Sequence, residues 1–320
     1  MMKKINWPYG KKFAFTIVDD TDKTTLENGP IVYDFLNSIG IKSTKTVWIY
    51  NGEVRNDNID IIGETCENPD YLLWVKSLQK KGFEIALHNV SWSSSKREKV
   101  ISGIELFKRY FGNYPKILIQ HNDSIDNESI YWGRDRLTFP ATLFFDALSW
   151  INPKSNNSKI YNGAKINSPF FWGDICKEKI KYVRNFIFSD INTLKACPKM
   201  PYYDSSKPYV NNWFASTEAP DINSFNNVIN KENISRLEEE NGCCIIYTHF
   251  GKKFVNDGVL DATFVNNMVD LVKRDAWFAS ASEILDYIET FQKVKKISWY
   301  SRTSLELKWL LHKIKVGGTS

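Results

Sequence analysis

The chain has no long apolar run, no C-x-x-C pair, no internal repeat and no low-complexity linker, and each absence removes a class of protein. No segment reaches the ~20 apolar residues that a bilayer crossing requires, so a membrane-spanning helix is not expected. The five cysteines (Cys66, Cys176, Cys197, Cys243 and Cys244) are odd in number and irregular in spacing, which argues against a disulfide framework and against a zinc ribbon. Cys243 and Cys244 lie in an apolar run and read as reduced core residues. No apolar stretch follows Lys3 and Lys4, so no secretory leader is expected and a cytoplasmic protein is. A formal net charge of +5 over 320 residues is too mild to imply nucleic acid as a partner of the whole chain. Histidine is scarce as well, with four in all, so the position of each carries information.

What is present is ordinary soluble composition with a surplus of aromatics: 42% hydrophobic and 25% charged residues, with 11 Trp, 15 Tyr and 20 Phe. Short apolar runs alternate with amphipathic ones. Strands are predicted at Phe13–Val18, Lys45–Tyr50, Gly82–Leu87 and Lys116–Gln120, and helices at Ile31–Ile39, Tyr71–Gln79 and Arg97–Tyr110. The middle is less regular, with strands predicted at Ala141–Ala147 and Lys181–Phe188, a loop over 150–165, and turns over 197–212, where Pro198, Pro201 and Pro208 interrupt the chain. A helix over Ile222–Glu240, a strand Cys243–Thr248, a helix Ala262–Lys273, a strand Trp277–Ala279 and a helix Ser282–Phe291 complete the pattern. Such alternation implies a parallel sheet with helices packed outside it. The division expected is a barrel domain over 1–292 and a tail over 293–320.

In parallel α/β barrels the reacting groups gather at the carboxyl ends of the strands. Asp19-Asp20 follow the first predicted strand, and His88, His121 and His249 each follow another, leaving only His312 elsewhere. A lone strand-end histidine is commonly a hydrogen-bonded structural side chain, and Asp19-Asp20-Thr21-Asp22 on its own reads as a solvated turn with capping carboxylates. The coincidence of three histidines with the acid pair is what points to chemistry.

Four segments, in order, resemble the motifs of the polysaccharide deacetylase (NodB-homology, carbohydrate esterase) family. They are Phe15-Thr16-Ile17-Val18-Asp19-Asp20 followed by Gly29-Pro30, then Gly82-Phe83-Glu84-Ile85-Ala86-Leu87-His88-Asn89, then Ile245-Ile246-Tyr247-Thr248-His249, and finally Trp277 through Ile284. The resemblance spans about residues 11–290 and implies a deformed (β/α) barrel of about seven parallel strands. It also implies a metal-dependent hydrolase removing an acyl group, expected to be N-acetyl, from a carbohydrate or lipid-linked sugar. By motif position Asp19 resembles the family's base, Asp20 and His88 its metal ligands, and His249 its acid. The cofactor implied is a divalent metal, with zinc the expectation. Trp92 stands where the family has a further ligand histidine, so either His121 completes an Asp20–His88–His121 site or the metal is lost; in the latter case the chain is a carbohydrate-binding barrel without catalysis. Another linear or cyclic amide is the alternative substrate on the same scaffold. The family's third-motif arginine is missing too, and Arg134, Arg136 and Arg184 are the candidates to replace it.

Aromatics beside charge suit a sugar ring, which stacks on one side and accepts hydrogen bonds on the other. Trp132 and Arg134, Trp172, and Trp213 are the substrate-binding residues expected on that ground, although each also suits an anchored loop. From Lys293 to Lys315 the chain is basic and interleaved with Trp299, Tyr300, Leu305, Leu307, Trp309, Leu310 and Leu311. That pattern fits a helix docked on the barrel, or one making peripheral contact with an anionic membrane.

Overall fold

The computed structural model describes residues 5–54, 62–121, 128–151, 161–292 and 296–316. Part of the predicted 150–165 loop, Lys293 and Lys295 of the tail, and the Met1–Lys4 start lie outside the described residues.

Seven parallel strands close on themselves. They are β1 (Phe13–Asp19), β2 (Thr44–Val47), β3 (Glu84–His88), β4 (Ile117–Ile119), β5 (Tyr182–Phe188), β6 (Asn212–Glu218) and β7 (Cys243–Thr248). Closure is made by β1 against β7, in register from Ala14↔Cys243 to Asp19↔Thr248. The barrel is uneven. The β3–β4 ladder is held by only two register pairs, Leu87↔Leu118 and His88↔Ile119, and the register of β5 against β6 shifts between Arg184 and Ile187. Every residue of β1, β5, β6 and β7 is buried, as expected of strands covered on both faces.

Helices α1 (Gly29–Ser38), α2 (Pro69–Lys80) and α3 (Arg97–Phe111) cross between the first four strands. Two of them start and stop by local chemistry. Asn68 accepts the Asp70 amide at the head of α2, and Gly112 ends α3 at φ 86°, a conformation that costs an L-residue. After β4 come α4 (Ala141–Ile151) and α5 (Gly173–Lys179), and α6 (Thr193–Ala196) follows β5. Then α7 (Ile222–Val228) and α8 (Lys231–Glu239) lead from β6 to β7. Beyond β7 a two-stranded ribbon, β8 (Val255–Asn256) with β9 (Val259–Leu260), precedes α9 (Ala262–Val272). An outer strand, β10 (Ala276–Phe278), joins β1 in parallel, and α10 (Ala281–Gln292) follows it.

Two sequence expectations differ from the structure, and one strand had no expectation to match it. Ala141–Ala147, read as a strand, is the first part of helix α4, entered from Pro140 with the Thr142 amide on the Thr138 carbonyl. A short apolar run has no periodicity to separate the two states, and here Leu143 and Phe144 face outward while α4 packs on the C-terminal helix. Strand β6 was hidden by its polar letters, Asn212, Ser216, Thr217 and Glu218, beside the proline-rich turns. The single helix expected over 222–240 is two, because the Asn230 side chain accepts the Asn233 amide and starts α8 afresh.

The C-terminal helix α11 (Trp299–Val316) packs against α4 and β5, burying Leu305, Trp309 and Leu310. Three such side chains contribute roughly 1.5–3 kcal/mol each by removal from water. Leu311 and Ile314 point outward. Among the described residues no helix is long and apolar enough to cross a membrane. All five cysteines are buried and free.

Candidate active site

The chain leaves β1 through four residues, three of them acids, and each acid meets a different environment. Asp19 is sealed in the barrel. Its Oδ2 accepts from Tyr33 Oη at 3.0 Å and pairs with Lys45 Nζ at 2.9 Å, and its Oδ1 accepts the Phe250 amide at 2.9 Å. Both oxygens are committed to holding β1, α1, β2 and the turn after β7 together.

Asp20 faces β5. Arg184 grips it in a bidentate pair, Nη1 to Oδ1 at 3.0 Å and Nη2 to Oδ2 at 2.5 Å, while the guanidinium lies 4.7 Å from the Tyr247 ring. Burial is the largest single influence on this carboxyl and pushes it up, but Arg184, His88 and His249 outweigh it and hold Asp20 below the usual carboxylate range.

Asp22 meets the histidines. Its Oδ1 stands 3.5 Å from His88 Nε2 and 3.9 Å from His121 Nε2, and its Oδ2 stands 3.0 Å from His249 Nε2 and 3.7 Å from Lys252 Nζ. Burial opposes its ionisation, yet His249, His88 and His121 together hold it well below the ordinary value. His121 is pushed down to about 3, chiefly by burial, so it is a neutral imidazole.

The strand ends set this geometry. His88 is the last residue of β3, and Asn89 beyond it turns at φ 50°, a conformation asparagine tolerates better than most residues. The Asn89 amide then donates to the His121 carbonyl at 2.9 Å, tying the two imidazole-bearing strand ends together. Their rings lie 5.3 Å apart, with Trp48 packed 5.7 Å from one and 5.6 Å from the other. Trp92, at the position of the missing ligand, is buried 5.4 Å from Trp48 and donates its Nε1 to the Glu53 carbonyl. It builds the wall of the cluster.

Asp22, His88 and His121 each offer a ligand atom, all within 4.8 Å of one another. Ligands on a tetrahedron with ~2.1 Å bonds stand ~3.4 Å apart, close to the two separations given for Asp22 Oδ1. Asp22 Oδ1 and both His88 ring nitrogens are buried without a hydrogen bond. Two imidazoles and a carboxylate that converge in this way, with the Asp22 and His88 atoms left unsatisfied, are what a divalent cation would use, so the residues present fit such a group.

The structure therefore brings His88, His121 and His249 together, as the sequence suggests, but with Asp22 rather than Asp20 at their centre. The signal for Asp22 was its place two residues beyond Asp20, and the turn-like letters Asp-Asp-Thr-Asp masked it. Arg184 stands out from the three arginines considered, because it alone holds an acid of the cluster. The residues expected to stack on a sugar are placed otherwise. Trp172 and Trp213 are buried to within 1% of complete, and Trp172 Nε1 donates to the Glu128 carbonyl at 2.6 Å. Trp132 is buried beneath a guanidinium, that of Arg136. Arg134 is exposed and makes a bidentate pair with Asp146 of α4. None of the three rings presents an open face.

A closed, uneven barrel of seven parallel strands is the fold of solved polysaccharide deacetylases, and the chain has that fold. A candidate polysaccharide deacetylase from Mycobacterium smegmatis matches it with a TM-score of 0.50 at 12% identity, over 93% of this chain and 98% of its own. Puue allantoinase matches with a TM-score of 0.49 at 11% identity, over 89% and 93% of the two chains. A candidate polysaccharide deacetylase from Pseudomonas aeruginosa PAO1 matches with a TM-score of 0.48 at 12% identity, again over 89% and 93%. No family model matches the chain. No curated protein matches it.

Proposed function

We propose that the chain is a metal-dependent hydrolase that removes an acyl group, N-acetyl by preference, from a carbohydrate. The observation that carries this reading is the division of labour among the three acids: one is locked in packing, one is held by an arginine, and one is shared among imidazoles. On this reading Asp22, His88 and His121 hold the cation, which moves the carboxylate ligand from Asp20 to Asp22 and the base from Asp19 to Asp20. A divalent cation bound there supplies Lewis acidity toward the acyl oxygen and lowers the pKa of water, and zinc suits the two-imidazole, one-carboxylate set.

The chain's own groups carry the protons. Asp20, kept ionised and oriented by Arg184, takes the proton of the attacking water. The water oxygen forms the new bond to the acyl carbon, the carbon–nitrogen bond breaks, and the leaving amine needs a proton. His249 is arranged to give it. Its Nδ1 stands 2.6 Å from the Pro220 carbonyl and its Nε2 stands 3.0 Å from the Asp22 carboxylate. Both neighbours only accept, so the ring satisfies both as an imidazolium that donates from each nitrogen. The carboxylic acid, which keeps the water's second proton, and the free amine leave; Asp20 holds the proton that His249 gave up, and its return through solvent resets both groups.

The test is acetate release from N-acetylated sugars by cation-loaded protein, with ammonia release from small linear and cyclic amides run alongside. Acetate release that Asp20→Asn abolishes supports the reading. Full activity in that variant, or ammonia as the only product, overturns it.

A further inference from the structure

Four Lys or Arg side chains are buried among the described residues: Lys45, Arg136, Arg184 and Lys207. Three have a carboxylate at close range, Lys45 with Asp19 at 2.9 Å, Arg184 with Asp20 at 2.5 Å and Lys207 with Asp204 at 3.1 Å. Arg136 has none. Its Nε, Nη1 and Nη2 are all buried without a hydrogen bond. What it has is aromatic cover. The guanidinium carbon lies 3.3 Å from the centroid of the Trp132 ring and 5.4 Å from that of Trp309 on α11. A ring face attracts the positive charge, but it gives nothing to the N–H groups that point outward in the guanidinium plane.

The acids of this region are already engaged. Glu218 is held by His312 at 2.7 Å and Lys313 at 3.8 Å, and Asp20 is held by Arg184. Glu306 accepts from the backbone and hydroxyl of Thr138 and lies 3.9 Å from Lys207. The groups that act on Arg136 electrostatically are Tyr161, Tyr202 and two further cations, Arg184 and Lys313. A buried guanidinium without a counter-charge is costly, and the cost disappears when an anion arrives.

We propose that Arg136 receives an oxyanion, a carboxylate or a phosphoryl group, carried by the molecule this protein acts on. Guanidinium geometry suits both, since two coplanar N–H donors match two oxygens of either group. The position suits a substrate. Arg136 ends a short turn, Gly133–Arg136, in the connection after β4, the same strand end that presents His121. Arg184, the partner of Asp20, is its electrostatic neighbour. Helix α11 contributes Trp309 and Lys313 and is then a wall of this subsite. That the anion belongs to an acylated substrate rests on the hydrolase reading above, whereas anion binding at Arg136 does not.

The experiment measures the thermal midpoint of the full chain, wild type and Arg136→Gln, against rising inorganic phosphate, glucuronate and, as the neutral control, glucose. The expected result is a concentration-dependent rise for the wild type with phosphate or glucuronate and none with glucose, with apparent affinity in R136Q weaker by about tenfold or more. The effective anion tells a phosphoryl ligand from a carboxylate. If R136Q does not fold, Arg136→Lys takes its place, keeping the charge but losing the two-pronged geometry, and weaker binding is again expected. No anion effect in the wild type, or an equal effect in the variant, overturns the proposal. Acetate release from neutral sugars without any anion effect removes this inference and leaves the hydrolase reading. An Arg136-dependent anion effect in a protein that releases acetate from no sugar does the reverse.

Discussion

Replacing Arg184 by methionine isolates the interaction on which the assignment of Asp20 depends. Both partners are nearly sealed from water, with side-chain exposures of 4% and 3%, and the pair makes two charge-assisted hydrogen bonds. Methionine fills much of the volume but leaves a carboxylate desolvated with its main counter-charge gone. Breaking a buried pair from one side costs roughly 3–5 kcal/mol. For a chain of this size that is a fall in midpoint on the order of 5–10 °C. The companion variant Asp20→Asn/Arg184→Met removes both charges, and it should cost less than the sum of the singles by ~2 kcal/mol or more.

The pH dependence has a definite sign. Asp20 in the wild type is held below its unfolded value, so its contribution to stability is present at neutral pH and is lost as pH falls through the folded value. In R184M burial is less opposed and the carboxyl rises. The penalty then appears above the unfolded pKa and fades as the acid takes up its proton. Urea unfolding of the four proteins at neutral pH and below ~4 reads both effects, and the gap between wild type and R184M should narrow in acid. A cost under ~1 kcal/mol, additive double-variant behaviour, or a gap that widens in acid would refute the argument that this pair is a buried, ionised clamp.

Asp22→Asn should cut divalent-cation affinity sharply while Asp20→Asn leaves it nearly intact; metal content after dialysis separates the two, and the opposite ranking would restore Asp20 as ligand. Glu128 is buried, and burial pushes its carboxyl up to about 7. The folded chain therefore keeps a proton that the unfolded chain gives up between pH ~4.5 and ~7, and stability falls across that window by roughly 3 kcal/mol. Glu128→Gln removes the titration, so its midpoint should fall less than that of the wild type between pH 5 and pH 8; parallel curves would show that Glu128 ionises normally.

Much of the barrel was legible because β1, β3 and β7 are mostly apolar runs ending in a polar residue, the form typical of a strand buried on both faces. Strand β6 was not, because Asn212, Thr217 and Glu218 are buried polar residues satisfied by partners far along the chain. Thr217, for example, shares a hydrogen bond with Thr193 and donates to the Asp190 carbonyl. Nothing local in the sequence announces those partners. The same limit applies to Trp132, Trp172 and Trp213. Aromatics next to charge mark a sugar platform or a buried anchor equally well, and only burial separates them.

The acids after β1 show why motif position alone could misassign roles that geometry separates. Asp19, Asp20 and Asp22 occupy four consecutive positions with one intervening threonine, and side chains alternate in direction at a strand end. Asp19 is carried inward to Lys45 and Tyr33, Asp20 across to Arg184, and Asp22 over the mouth to the imidazoles. The carboxyl groups are chemically identical, so function is set by the partner each one reaches. Those partners come from α1, β2, β5, and the ends of β3, β4 and β7, and their proximity exists only once the barrel has closed. A single-residue slip of β1 against β7 would carry Asp20 toward the sealed position and pull Asp22 from the histidines. The six register pairs from Ala14↔Cys243 to Asp19↔Thr248 are therefore as much a part of this site as the side chains they present.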